Sequence, residues 1–118
     1  MYGYDYELIR SSKDLTNEME SMITSAEILY KRGFHWTTDA GYRETWGQVM
    51  DYRDKGALCV EMEGVGLFTI ANYRKCVATG IYVVSDVYSE NDWKLGWEGN
   101  DIKRAVGAVI DMIIESIR

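Results

Sequence analysis

Proline is absent from this 118-residue chain, so the residue that most firmly stops a helix is unavailable. Element ends must instead be read from glycine, asparagine and capping residues. Histidine occurs once, as His35, and cysteine twice, as Cys59 and Cys76. Two cysteines in apolar surroundings match neither a zinc-ligand spacing nor the disulfide framework of a small secreted domain, and they read as reduced thiols in the core. Neither a metal nor a cofactor is signalled. No run approaches the roughly 18 apolar residues of a membrane span. The start, Met1-Tyr2-Gly3-Tyr4-Asp5, has neither the basic nor the apolar region of a signal peptide, which predicts a cytoplasmic protein without membrane contact. The net charge is −6 with both signs interspersed, so no continuous basic face exists to neutralise a phosphate backbone and nucleic acid is excluded as a partner. Linkers, repeats and low-complexity stretches are lacking too. The expectation is a single domain over residues 1–118.

What is present is a chain with 47% hydrophobic and 27% charged residues, enough to bury a core. From Tyr6 to Lys31, Leu8, Leu15, Met19, Met22, Ile23, Ala26 and Leu29 recur at helical spacing, predicting an amphipathic helix, with a break possible at Ser11-Ser12 and an end at Gly33. Phe34 to Thr38 is short, aromatic and β-branched, a strand leaving into Asp39-Ala40-Gly41. Glu44 to Lys55 carries Trp46, Val49, Met50 and Tyr52 on a helical stripe and stops at Gly56, before the apolar strand Ala57-Leu58-Cys59-Val60. Gly64 to Tyr73 is apolar nearly all round, which predicts a helix packed on several sides. Ala78 to Val84 is the clearest β-branched run and predicts a central strand. A polar loop with Trp93 and Trp97 follows, and then a helix from Asp101 to Ile117 whose broad apolar face runs from Ile102 to Ile117. Strands alternating with helices imply a largely parallel α/β sheet, here a partial three-layer α/β/α sandwich. A three-stranded parallel sheet has exposed edges, so strands are expected from another chain or from a part of the fold not present here.

Ligands in open α/β sheets collect beyond the carboxyl ends of the strands. That rule selects Thr37-Thr38-Asp39, Glu61-Met62-Glu63 and Ser85-Asp86. Acids and hydroxyls dominate these places, which suits hydrogen bonding to the hydroxyls of a sugar and to a heterocyclic base. Glu63 can accept from two adjacent hydroxyls through charge-assisted bonds. Met62 can lie against a sugar or base, and Asp86 can protonate a departing base. Structural alternatives stand beside each. Glu61 and Glu63 suit the start of a helix, where acids favour the macrodipole. Asp86 suits a loop cap, and Thr37, Thr38 and Asp39 suit a turn. His35 reads as a packing residue within its strand. Gly64-Val65-Gly66 lacks the third glycine of a dinucleotide fingerprint and the ending of a P-loop, and reads as close helix packing. Trp93 and Trp97 suit anchoring of their loop as well as a lid over a base.

The string Val60-Glu61-Met62-Glu63-Gly64-Val65-Gly66, followed about twenty residues on by Val83-Val84-Ser85-Asp86, resembles the purine nucleoside phosphorylase and uridine phosphorylase superfamily. Trp36-Thr37-Thr38-Asp39-Ala40-Gly41-Tyr42 is similar to the segment which that family places before its Glu-Met-Glu motif. The helix from Asp101 is similar to its last helix. The resemblance implies that Glu63 holds the ribose 2′ and 3′ hydroxyls, that Met62 contacts ribose and base, and that Glu61 shapes the pocket. Asp86, with Ser85 beside it, corresponds to the acid that purine-specific members use on N7, so a purine nucleoside is the implied substrate. Trp36 falls near an aromatic position of the base pocket, and Trp93 in a loop that can cover it.

Members of that family run to well over two hundred residues, and the resemblance covers only their C-terminal half. Their glycine-containing phosphate loop and phosphate-binding arginines lie in the other half, and Arg43 and Arg74 fall in no matching motif. The implied reaction is phosphorolysis of an N-glycosidic bond with phosphate as co-substrate, completed only with an N-terminal half. The alternatives are a nucleosidase of the methylthioadenosine type, with water as nucleophile, and a non-catalytic remnant that binds nucleoside or assembles with a partner. The resemblance also implies a homo-oligomer.

Overall fold

A computed structural model describes residues 9–89, 92–95 and 99–118. The first helix, α1 (Lys13–Ser25), starts where Ser12 accepts a hydrogen bond from the Leu15 amide, with Asp14 in the first turn favouring the positive end of the helix dipole. It ends earlier than the periodicity implies. Glu27 takes φ 56°, the Glu27 amide donates to the Thr24 carbonyl, and the Ile28 amide reaches back to the Ile23 carbonyl at 3.2 Å. This pair of bonds satisfies the last carbonyls by a left-handed turn that glycine usually provides. Leu29, expected on the buried stripe, is wholly exposed. Of that predicted helix, the stretch before Ile9 lies outside the described residues.

A βαβ unit follows. β1 (Phe34–Thr37) and β2 (Ala57–Glu61) pair in parallel, His35 with Cys59, Trp36 with Val60 and Thr37 with Glu61. Between them come a 3-10 turn (Gly41–Arg43) and the crossover helix α2 (Trp46–Asp54). Thr45 and Gln48 form a reciprocal capping box at the start of α2, and Gly56, at φ 94°, supplies the left-handed turn into β2 that a side chain would resist. Because side chains alternate across a strand, His35 and Thr37 face one side of the sheet and Trp36 the other. Tyr52 of α2 stacks on Trp36, and Phe68 of α3 (Gly64–Arg74) contacts His35, so the two helices cover opposite faces. That is the layered α/β arrangement the pattern predicts, built on two strands.

The predicted central strand over Ala78 to Val84 is not formed, and among the described residues this segment joins no ladder. The Ala78 carbonyl accepts from the Ser12 amide at 2.8 Å, and Thr79 bonds Thr16 through their hydroxyls at 2.7 Å, so the segment is tied to α1. β-branched composition describes fitness for a sheet, and only neighbouring strands realise it. The next stretch, expected to be a loop, forms an antiparallel pair, β3 (Asp86–Ser89) and β4 (Asp92–Leu95), with Trp93 opposite Tyr88. Trp97 lies outside the described residues.

The last helix, α4 (Asn100–Ser116), packs on α1 and buries Met112, while Val106, Ile110 and Ile114, one helical turn apart, stay exposed. The core is thin: Ile23, Ala40, Phe68, Ala71 and Met112 are its buried apolar residues, and none of the described side chains is fully enclosed. Expected to be packed on several sides, α3 instead leaves Leu67, Ile70 and Tyr73 exposed, Tyr73 at 83%.

Candidate functional site

The site grows from the carboxyl ends of β1 and β2. Glu61, the last residue of β2, turns its carboxylate back under the start of α3, and its Oε2 accepts the backbone amides of Glu63 and Gly64, each at 2.6 Å. The Thr37 hydroxyl donates to Oε1 of the same carboxylate and accepts the Val65 amide at 3.1 Å. Three amides at the start of α3, which would otherwise lack partners, are satisfied by two side chains from adjacent strands. The Glu61 side chain is only 8% exposed, and His35 Nε2 stands 3.3 Å from its Oε1. Burial pushes the Glu61 pKa up, but the Thr37 hydroxyl, the Gly64 and Glu63 amides and the His35 ring together outweigh it, leaving the carboxyl below its ordinary value. Burial, and then the Glu61 charge, push the Tyr82 hydroxyl and the Cys59 thiol upward.

The two glutamates therefore divide their work. Glu61 serves the helix start, one of the alternatives read for both. Glu63 stands at the cap position of α3 and makes no cap hydrogen bond with its side chain. Gly64 explains its own small size: a Cβ there would lie 2.6 Å from His35 Nε2 and 2.7 Å from Glu61 Oε1. Gly66 has no such neighbour within 4 Å, so close packing accounts for the first glycine of the pair and not the second.

Beyond the carboxyl ends of the two strands, a hollow of about 520 Å³ is lined by Trp36, Thr37, Asp39, Tyr52, Met62 and Val65, among others. The Trp36 and Tyr52 rings stack with centroids 4.2 Å apart and planes 16° from parallel. Trp36 and Met62, singled out separately from the sequence, thus share one cavity. Thr38 is buried and bonds the Ala40 backbone, a turn-forming role. Asp86 opens β3 and accepts from the Ser85 hydroxyl at 2.5 Å, and neither residue lines the hollow. Trp93 sits in β4. Cys76, read as a core thiol, is exposed, and both cysteines are free.

Two contributors escaped the sequence reading. Tyr52 was visible only as one member of a helical stripe, and its place opposite Trp36 follows once α2 is known to cross over between β1 and β2. His35 was read as packing, and its contact with Glu61 follows from the parallel register. Among the described residues no helix is long and apolar enough to cross a membrane, and no group of three or more His, Cys, Asp or Glu side chains could hold a metal ion.

An open parallel βαβ unit with an acid-rich turn at its carboxyl edge defines the class as an open α/β fold. Comparison with known proteins narrows it. The phosphorylase superfamily profile matches residues 3–115, and the chain belongs to that superfamily. A DeoD-type purine nucleoside phosphorylase from Exiguobacterium sibiricum is 33% identical over 84 residues, covering 71% of this chain and 35% of its own length. The chain therefore spans about a third of that relative. No solved structure matches it.

Proposed function

We propose that the chain supplies the sugar and base side of a purine nucleoside site, and that phosphorolysis is completed when further polypeptide supplies the phosphate side. Glu63 accepts the ribose 2′ and 3′ hydroxyls, Met62 lies along the sugar, and Trp36, backed by Tyr52, borders the base. Asp86, held by Ser85, donates a proton to the purine N7 as the bond from C1′ to N9 breaks and a bond from C1′ to a phosphate oxygen forms. Trp93 belongs to the hairpin that would close over the base.

The observation that carries this reading is the separation of the two glutamates. Glu61 satisfies the helix amides, which leaves the Glu63 carboxylate without a cap bond, next in the chain to a methionine that lines the hollow. A charged acceptor with no structural duty beside an aromatic and thioether surface suits a sugar diol bearing a flat base. Superfamily membership and the relative's name support the choice of a purine nucleoside. The exposed apolar residues of α3 and α4 and the short sheet support a further polypeptide against this chain, whether a complementing half or a second copy.

The reading is tested by following hypoxanthine release from inosine after mixing this chain with a polypeptide corresponding to the remaining part of the relative. Release that requires both phosphate and the second polypeptide, and that Asp86→Asn lowers by about a hundredfold or more, is the expected result for loss of a general acid. Release that proceeds equally without phosphate would replace phosphorolysis by hydrolysis.

A further inference from the structure

We propose that Glu61 is a positioning residue and not a nucleoside contact: Thr37 and His35 fix its carboxylate, and that carboxylate fixes the Glu63–Gly64 backbone from which Glu63 is presented. The inference deepens the nucleoside-site reading and rests on it for the role of Glu63, while the arrangement itself stands on geometry alone.

An ionised carboxylate has about four lone-pair positions. Three hydrogen bonds reach Glu61, from the Thr37 hydroxyl at one oxygen and from the amides of Glu63 and Gly64 at the other, and His35 Nε2 stands 3.3 Å from the first oxygen. These neighbours surround both oxygens, and a side chain only 8% exposed offers little surface to a sugar hydroxyl. The partners are themselves held. Thr37 is fixed from its other side by the Val65 amide. The His35 ring meets Phe68 edge-on at 5.9 Å and Tyr82 at 4.9 Å, so α3 and the segment after it set its orientation. Gly64 leaves room for this convergence, since a Cβ there would collide with His35, Glu61 and the Tyr82 hydroxyl. Both amides that Glu61 holds belong to Glu63 and the residue after it, so any rotation of this turn moves the Glu63 carboxylate. Support from surrounding groups of this kind is what keeps a binding side chain in its productive geometry.

The test uses the full chain and two readouts. Amide hydrogen exchange at Glu63 and Gly64 reports the clamp, with the Ile23 and Met112 amides reporting the fold. Inosine titration reports the consequence in Glu61→Gln, Glu63→Gln and the double variant. Glu61→Gln is expected to speed exchange at Glu63 and Gly64 at least tenfold with Ile23 and Met112 unchanged, and to weaken inosine about tenfold with the number of sites unchanged. Thr37→Val should act in the same direction and Thr37→Ser should restore the parent behaviour. Because Glu61 acts through Glu63, adding Glu61→Gln to Glu63→Gln should weaken binding less than twofold further. An equal loss in both backgrounds would make Glu61 a direct contact, and unchanged exchange in Glu61→Gln would remove the clamp. Absence of inosine binding by the parent would sink the nucleoside reading, with the exchange result still deciding whether the clamp exists.

Discussion

The indole of Trp36 and the ring of Tyr52 stack 4.2 Å apart across the interface between β1 and α2, with Lys55 Nζ standing 5.3 Å from the centre of the Tyr52 ring. One face of the Trp36 ring is thereby occupied, and the stack fixes the wall of the hollow that also contains Met62. Aromatic pairs contribute about 0.5–1.5 kcal/mol beyond the area they bury. Tyr52→Ala is expected to lower stability by about 1–3 kcal/mol in urea unfolding and to weaken inosine binding, since Trp36 loses its backing. Tyr52→Phe keeps the stacked ring and should lose less of both than Tyr52→Ala.

Gly64 and Gly66 make a matched pair within one helix. Gly64→Ala is expected to destabilise the chain by about 1–3 kcal/mol, because its Cβ would meet His35 and Glu61. Gly66→Ala meets nothing within 4 Å and should raise stability by about 0.5–1 kcal/mol through helix propensity. Thermal unfolding of both variants checks the contrast.

The Glu61 carboxyl is lowered in the folded chain, so the folded state holds its proton less tightly than the unfolded state does. Its contribution to stability is therefore complete above the ordinary value of 4.5 and is lost as pH falls through the lower folded value. The stability difference between parent and Glu61→Gln should be constant above about pH 5.5 and should shrink as the solution is acidified through and below 4.5. A difference that stays flat down to acid unfolding would contradict the arrangement around Glu61.

Cys59 and Cys76 should separate in reactivity. Cys76 is exposed, whereas Cys59 is partly buried, with its thiol pushed up by burial and by the Glu61 charge. Since the thiolate is the reactive form, iodoacetamide near neutral pH should label Cys76 at least tenfold faster in the folded chain. Glu61→Gln should bring Cys59 closer to Cys76, a result read by peptide mass mapping.

Much of the βαβ unit was legible in the sequence because its signals are local. The stripe of Trp46, Val49, Met50 and Tyr52 marks α2, Gly56 marks its end, and the aromatic, β-branched run from Phe34 marks β1. The end of α1 is hidden in the sequence for a physical reason: Glu27 adopts the left-handed conformation without being glycine, and the next glycine along the chain, Gly33, lies well past the true end. Val83 and Val84 carry strong strand preference, but a preference becomes a strand only beside a partner, and here the preceding backbone is bonded to α1 instead. Trp93 was assigned to a loop because its neighbours are polar, yet a two-stranded hairpin needs no apolar run. At the site, the residue types were plain, but the division between Glu61 and Glu63 was not. Which acid caps a helix depends on where β2 ends relative to α3, and no spacing rule encodes that distance.

Calorimetric titration of inosine into the purified chain, with Glu63→Ala and Asp86→Asn alongside, tests the central claim most directly. The account predicts saturable binding by the parent, its loss in Glu63→Ala, and near-parent affinity in Asp86→Asn, because a proton donor to the leaving base matters in the transition state more than in the bound ground state. Absence of binding by the parent, or binding that Glu63→Ala leaves intact, would contradict it.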